Sequence, residues 1–213
     1  MNIFSEYQHI KQKDPSIKTI WEIFLYPSFW AVNVHKEISH KLFKRKKYFL
    51  ARCISQVMRF FTGIEIHPGA KIGKGLFIDH GAGVVIGETC VIRNNVTIYQ
   101  GVTLGGTGKL KGKRHPTIGN NVMVGAGVKI LGPFTVGDNS RIGAGSVVLE
   151  KVPADCTVVG IPAKVVKRNE KPYVEENCLD QIDFPDLVQK EIEQINDKLT
   201  DLQSKCNKVL KCF

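Results

Sequence analysis

The fold class this sequence predicts is mainly β: a solenoid of short strands and corners, preceded by a short α-helical region and followed by a C-terminal heptad helix. Three observations predict it. Aliphatic residues recur every six positions through the middle of the chain, helical spacing precedes them, and an apolar 4-3 seam follows them. The six-residue series runs Ile66, Ile72, Ile78, Val84, then restarts after a two-residue offset at Ile86, Ile92, Ile98, Leu104. It resumes at Ile118 and continues through Val124, Ile130, Val136, Ile142 and Val148. Gly follows directly at Gly73, Gly87, Gly119, Gly125, Gly137 and Gly143. A period of six fits neither an amphipathic helix nor an alternating strand, but it does fit one short strand plus one corner. The aliphatic side chain enters a shared core and the small residue permits the bend.

Residues 1–62 read as the helical region. Leu50, Ile54, Val57, Met58 and Phe61 lie at helical spacing, with Gly63 as the stop signal. An earlier helix is expected over His35–Lys47, and Asp14-Pro15 reads locally as a helix start, with Asp at the N-cap and Pro in the first turn. Residues 63–168 form the solenoid. Its interruption, Gly105 to Thr117, is basic and Gly-rich, as expected of a loop on the binding side of a repeat fold. Residues 169–213 are a linker, bracketed by Pro172 and Pro185, and a coiled-coil-like helix. Its seam is Val188, Ile192, Ile195, Leu199, Leu202, Cys206 and Val209.

The composition narrows the function. The 213 residues are 43% hydrophobic, enough for a core, and carry a formal net charge of +10. That excess suits a polyanionic ligand, and no nucleic-acid-binding motif accompanies it, so a phosphorylated small molecule is expected and nucleic acid is not. The six cysteines form no C-x-x-C pair and no zinc spacing, which predicts free thiols, no metal site and a cytoplasmic protein. No apolar run approaches membrane-spanning length.

The hexad series resembles the left-handed parallel β-helix acyltransferases. Within them the motifs DHGAGVVIGE from Asp79, GVTLGGTG from Gly101 and KRHP from Lys113 resemble serine O-acetyltransferase. The resemblance spans about Asp14 to Lys167 and is densest between Glu65 and Gly119. It implies a homotrimer with active sites in the grooves between neighbouring chains. It implies acetyl transfer from acetyl-CoA to the hydroxyl of L-serine, giving O-acetyl-L-serine and CoA, the first step of cysteine biosynthesis. No tightly bound cofactor is implied; acetyl-CoA is a co-substrate. Longer members join two trimers through an extended helical domain; the short helical region here leads to the expectation of a single trimer. Many members also end in a tail whose terminal Ile inserts into O-acetylserine sulfhydrylase. This chain ends in Phe213 behind a heptad helix, which departs from that partnership.

A serine hydroxyl needs a base before it can attack a thioester, and histidine titrates in the right range. The resemblance makes His80 that base, with Glu65 in the position of the carboxylate that orients its ring, and His115 as a second group that could assist proton transfer. The zwitterionic substrate needs a cation for its carboxylate and anions for its ammonium. Arg114 and His115 match the first requirement, Asp79 and Asp14 the second, the latter on condition that the N-terminal helices fold back over the groove. The pantetheine arm of CoA requires a track of small residues, matched by Gly106, Ala126 and Ala144; the N–H at Gly106 is a candidate oxyanion donor. Lys164 and Lys167 are candidate phosphate partners. Two rival readings remain: a hexapeptide acetyltransferase acting on a sugar or antibiotic hydroxyl, and a γ-class carbonic anhydrase with zinc held by His67, His80 and His115.

Overall fold

The computed structural model describes residues 3–108, 111–168, 192 and 195–203. The chain falls into two compact units, Met1–Ile182 and Asp183–Phe213.

In the first unit, the strands β1 (Glu65–Ile66) to β13 (Val147–Val148) are two or three residues long, and the residue at each hexad position is buried in the core except Ile72, which is partly buried against it. Three sheets result. The first holds β1-β4-β7-β10-β13, the second β2-β5-β8-β11, and the third β3-β6-β9-β12 with β14 (Cys156–Gly160) and β15 (Ala163–Arg168). Every pairing is parallel except β14 with β15, an antiparallel hairpin that ends the solenoid and that hexad spacing alone did not announce. A regular coil spans the 18 positions separating Val85 from its partner Thr103. The coil from Glu65 to Val85 has 20, and the coil from Thr103 to Lys129 has 26 because it carries the loop 106–116.

Ile78, Ile86, Ile92, Ile98, Leu104, Ile118, Ile130 and Ile142 stack as a fully buried column, joined by corner residues such as Val84, Val102 and Val128. Each such side chain contributes about 1.5–3 kcal/mol by leaving water. Close stacking also explains the small residue after the aliphatic one. A Cβ on Gly73 would lie 2.8 Å from the backbone of Arg93 in the next coil, which cannot yield without breaking its own ladder. The corner between the second and third sheets is tied by side chains. Asn95 donates to Asn121 (3.3 Å), Asn121 to Asn139 (3.0 Å) and Asn139 to Asp155 (2.8 Å).

The N-terminal helices are α1 (Ile3–Lys13), a 3-10 turn (Ile20–Leu25), α2 (Pro27–Val34), a π turn (His35–Ser39), α3 (His40–Lys44) and α4 (Tyr48–Thr62). The helix expected over His35–Lys47 is thus the second half of a longer helical stretch. That stretch begins at Pro27, which sits where its missing N–H is no loss. Gly63 closes α4 in the left-handed conformation, as its stop-signal role requires. The N-cap reading of Asp14 is corrected: Asp14 follows the end of α1, and its N–H donates to the carbonyl of Ile10 (2.7 Å). Pro15 disfavours helix in the residue before it, so Asp-Pro here stops a helix whose residues Tyr7 and Ile10 are buried.

These helices fold back onto the solenoid. Tyr7, Ile10, Ile17, Ile23 and Phe29 form one apolar cluster with Phe77 of β3. Lys13 donates to Thr97 (2.8 Å), and the hydroxyl of Ser55 donates to the carbonyl of Ile66 (2.6 Å). His35 and His40 bond the carbonyls of Ala70 (3.1 Å) and Pro68 (2.8 Å) at the first corner. In the second unit, residues 195–203 are helical, and Ile192, Ile195, Leu199 and Leu202 are each about half exposed. The seam positions Val188, Cys206 and Val209 lie outside the described residues.

Candidate active site

The two-residue offset in the hexad series has a structural meaning. The corner between β3 and β4 is 79–84, whereas the corner below it, between β6 and β7, is 99–102. Asp79 keeps its place in the ladder, its N–H donating to the Ile98 carbonyl (2.8 Å), and the two extra residues let His80-Gly81 loop out of the stack. His80 adopts φ 57° with its side chain 75% exposed, a left-handed backbone that histidine visits more readily than most residues. Its Nε2 lies 3.8 Å from Oδ1 of Asp79.

The fold-back of the N-terminal helices brings Asp14 to the same corner, where it interacts electrostatically with His80 and Asp79. Oδ1 of Asp14 accepts the N–H of Ser16 (2.9 Å), and Oδ2 accepts the hydroxyl of Tyr26 (2.5 Å). Burial pushes the Asp14 carboxyl up, but those bonds and the nearby His80 outweigh it and hold its pKa below the usual value. Burial raises Asp79, and the neighbouring Asp14 adds to the rise against the opposing pull of His80. Tyr26 is pushed up to about 12, chiefly by burial and by donating to Asp14. The corner is thus an exposed imidazole between two carboxylates. Tyr26 carries no sequence motif and was not foreseen; only packing against Phe77 places it there.

A second cluster forms at the other edge of the first sheet, where the loop 106–116 leaves β7. The guanidinium of Arg114 pairs with the carboxylate of Glu88, and Arg114 holds the Glu88 pKa down. The hydroxyl of Thr89 accepts the N–H groups of Arg114 and His115, both at 3.0 Å. His115 is buried, and desolvation followed by the charge of Arg114 lowers its pKa, which keeps the ring neutral. His67, whose pKa burial also lowers, adjoins this cluster and lines a cavity of about 530 Å³ with Phe43, Tyr48, Arg52, Pro68 and Glu88. Among the described residues no hydrogen bond or ion pair joins the His80 cluster to the Arg114 cluster. His67 and His115 therefore stand on one edge of the sheet and His80 on the other, and among the described residues no group of three His, Cys, Asp or Glu is arranged to hold a metal ion.

The expected bond between Glu65 and His80 is not formed. Glu65 accepts from Arg52 (2.8 Å) and Arg59 (3.2 Å) of α4. Two guanidinium groups laid over the carboxylate by that helix are stronger partners than a neutral imidazole. Gly106 sits where the loop leaves β7; a Cβ there would lie 2.9 Å from the Arg114 carbonyl and 3.3 Å from Nε2 of His115. Ala126 and Ala144 stack below the His80 corner, where Gly101 bonds to Ala82 (2.8 Å), Gly127 to Gln100 (2.9 Å) and Gly145 to Ala126 (2.8 Å). The result is a strip of small residues descending from the corner that holds His80. Lys164 and Lys167 are exposed on the terminal strand β15.

Residues 115–150 match the family described as bacterial transferase hexapeptide (six repeats), and residues 81–100 match the hexapeptide repeat of succinyl-transferase. Among solved structures, a serine acetyltransferase in complex with cysteine is 39% identical with a TM-score of 0.79, covering 85% of this chain and 70% of that one. A serine acetyltransferase from Brucella abortus in complex with coenzyme A is 40% identical (TM-score 0.75, 78% and 67% covered). One from Neisseria gonorrhoeae in complex with serine is 43% identical (TM-score 0.73, 78% and 67% covered). A serine acetyltransferase of Bacillus subtilis is 55% identical over 193 residues, 90% of this chain and 88% of its own length. With identity of that order over nine-tenths of the chain, and with solved relatives that share its solenoid, this chain belongs to the serine acetyltransferase family of left-handed parallel β-helix proteins.

Proposed function

We propose that the His80 corner and the Arg114 loop are the two halves of one active site that transfers the acetyl group of acetyl-CoA to the hydroxyl of L-serine, the first step of cysteine biosynthesis. One observation carries the assignment: an exposed imidazole stands between two carboxylates at the head of a small-residue strip, and an arginine–histidine pair stands at the opposite edge of the same sheet. In a trimer of parallel prisms, the edge of one chain faces the edge of its neighbour. Each complete site then draws on two chains.

In this reading His80 takes the proton of the serine hydroxyl as the oxygen attacks the thioester carbonyl carbon. The N–H at Gly106 faces the resulting oxyanion. The C–S bond then breaks, and the CoA thiolate recovers a proton from the imidazolium. Asp14, held ionised by Tyr26 and Ser16, and Asp79 bind the ammonium of serine; Arg114 and His115 bind its carboxylate. Pantetheine follows the strip through Ala126 and Ala144, with Lys164 and Lys167 meeting CoA phosphates. Cys90 takes no part: it is buried, and burial pushes its thiol up to about 12. No helix among the described residues is long and apolar enough to cross a membrane. Free thiols at Cys53, Cys90 and Cys156 fit a reducing cytoplasm.

Release of CoA from acetyl-CoA should require L-serine and should not be supported by galactosides or chloramphenicol; the reverse preference would overturn the reading. Arg114→Ala is expected to raise the KM for serine about ten- to a hundred-fold, the worth of a charge-assisted pair. The KM for acetyl-CoA should hold; if it rises instead, Arg114 belongs to the phosphates. The half-exposed stripe Ile192, Ile195, Leu199, Leu202 is that of a helix awaiting copies of itself, and three parallel C-termini on one threefold axis would supply them. Truncation after Pro185 should leave an active trimer with a lower melting temperature. Light scattering that shows monomers of the full-length protein would remove the trimer, and an unchanged melting temperature would remove the coiled coil.

A further inference from the structure

We propose that Gly87-Glu88-Thr89 is a positioning cradle for Arg114-His115, and that Thr89 locks His115 as the tautomer protonated on Nε2, so that His115 donates a hydrogen bond to the substrate and does not serve as a second base. The inference deepens the reading of the Arg114 loop as the half-site for the serine carboxylate. Each residue of the triplet makes a different contact. Gly87 leaves room for the imidazole, since a Cβ there would overlap the His115 ring. Glu88 pairs with the guanidinium of Arg114, within reach of both charge and direction. Thr89 holds the backbone of both residues by accepting their N–H groups on its hydroxyl oxygen.

The tautomer follows from the remaining bonds. The backbone N–H of Thr89 points at Nδ1 of His115 at 3.2 Å, and a backbone N–H can only donate. Nδ1 must therefore be the bare, accepting nitrogen. The hydroxyl of Thr89 agrees: its lone pairs are occupied by two N–H groups, so its own hydrogen goes to Nδ1, 2.9 Å away. A neutral imidazole whose Nδ1 accepts carries its proton on Nε2. That nitrogen lies beside Gly106, on the side where the loop leaves β7. An N–H already in place cannot accept a proton from serine, but it can bind a carboxylate oxygen. Protonating Nδ1 would set it against the Thr89 N–H, which agrees with the lowered pKa of the ring. The division of labour between the two histidines is thus set at the edges of one sheet: His80 is left exposed beside Asp79 to act as base, and His115 is wedged as a donor.

The test is a long-range nitrogen–proton correlation spectrum of the full-length protein labelled with ¹⁵N-histidine, with His115 assigned by its disappearance in His115→Gln. The expected result is a bare Nδ1 and a protonated Nε2 at neutral pH; a protonated Nδ1 would overturn the proposal. Thr89→Val removes the hydroxyl at nearly constant shape and is expected to raise the KM for serine about tenfold, with the KM for acetyl-CoA unchanged. Thr89→Ser should restore the wild-type value, because it restores the hydroxyl. Loss in both variants alike, or in neither, would overturn the positioning role. The spectrum of the unaltered protein does not depend on folding of any variant. It also stands apart from the assignment of substrate: a protein inactive with serine but showing the bare Nδ1 would refute the carboxylate half-site and keep the tautomer.

Discussion

Replacing His80 with alanine is expected to lower kcat by about two to four orders of magnitude, the usual worth of a positioned general base. The corner that holds His80 is otherwise independent of the side chain: it is 75% exposed and outside the core, so the fold should persist. One complication is conformational. The backbone there has φ 57°, which asparagine tolerates better than alanine, so His80→Asn provides a second variant without added strain. Both variants should keep acetyl-CoA binding and the assembly state of the parent, measured by calorimetry and light scattering. A loss under tenfold in both would mean that another group takes the proton.

The second large effect concerns stability in mild acid. His35 is 3% exposed, and burial, followed by the nearby charges of His40, Lys36 and His67, lowers its pKa to about 4. Its Nε2 is bonded to the Ala70 carbonyl, while Nδ1 has no partner among the described residues. An unfolded histidine titrates near 6.5, so the unfolded chain takes up a proton that the folded chain refuses. The stabilisation is therefore complete above about pH 6.5 and is lost as the pH falls toward 4. The difference of some two and a half pKa units corresponds to about 3 kcal/mol per chain. Urea unfolding followed from pH 7 to pH 4 should show this slope. His35→Gln, which keeps a donor for Ala70, should flatten it. The carboxylates held low by partners, Asp14 and Glu88, lose their contribution only at lower pH, which separates the two windows. An unchanged slope in His35→Gln would assign the acid sensitivity elsewhere.

The solenoid was legible because its signal is strictly local. A buried aliphatic residue every six positions and a small residue after it are demanded by each coil separately, and from Ile66 to Val148 the expected positions fall within the short strands, with Val84 in the corner before β4. Even the head of the site left a trace: the two-residue offset between Val84 and Ile86 is the bulge that lifts His80 out of the stack beside Asp79. Asp14 was misread locally because an Asp-Pro step can open a helix or close one, and the buried residues Tyr7 and Ile10 before it decide which. Glu65 was assigned to His80 by position, but α4 lies across it with Arg52 and Arg59.

What the sequence determined by itself was the repeat, the helical segments, the heptad stripe and the residue types the chemistry needs, because spacing along the chain sets which side chains share a face. What only the tertiary structure decided was partnership between distant residues. Tyr26 reaches Asp14 and Phe77 because the N-terminal helices fold back, and Thr89 reaches His115 because one coil stacks on the next across 26 positions of chain. Whether a carboxylate serves an imidazole or an arginine, and which nitrogen of a histidine bears the proton, depends on donors and acceptors only a few ångströms apart. Those distances are set by packing of the whole solenoid and not by any local pattern.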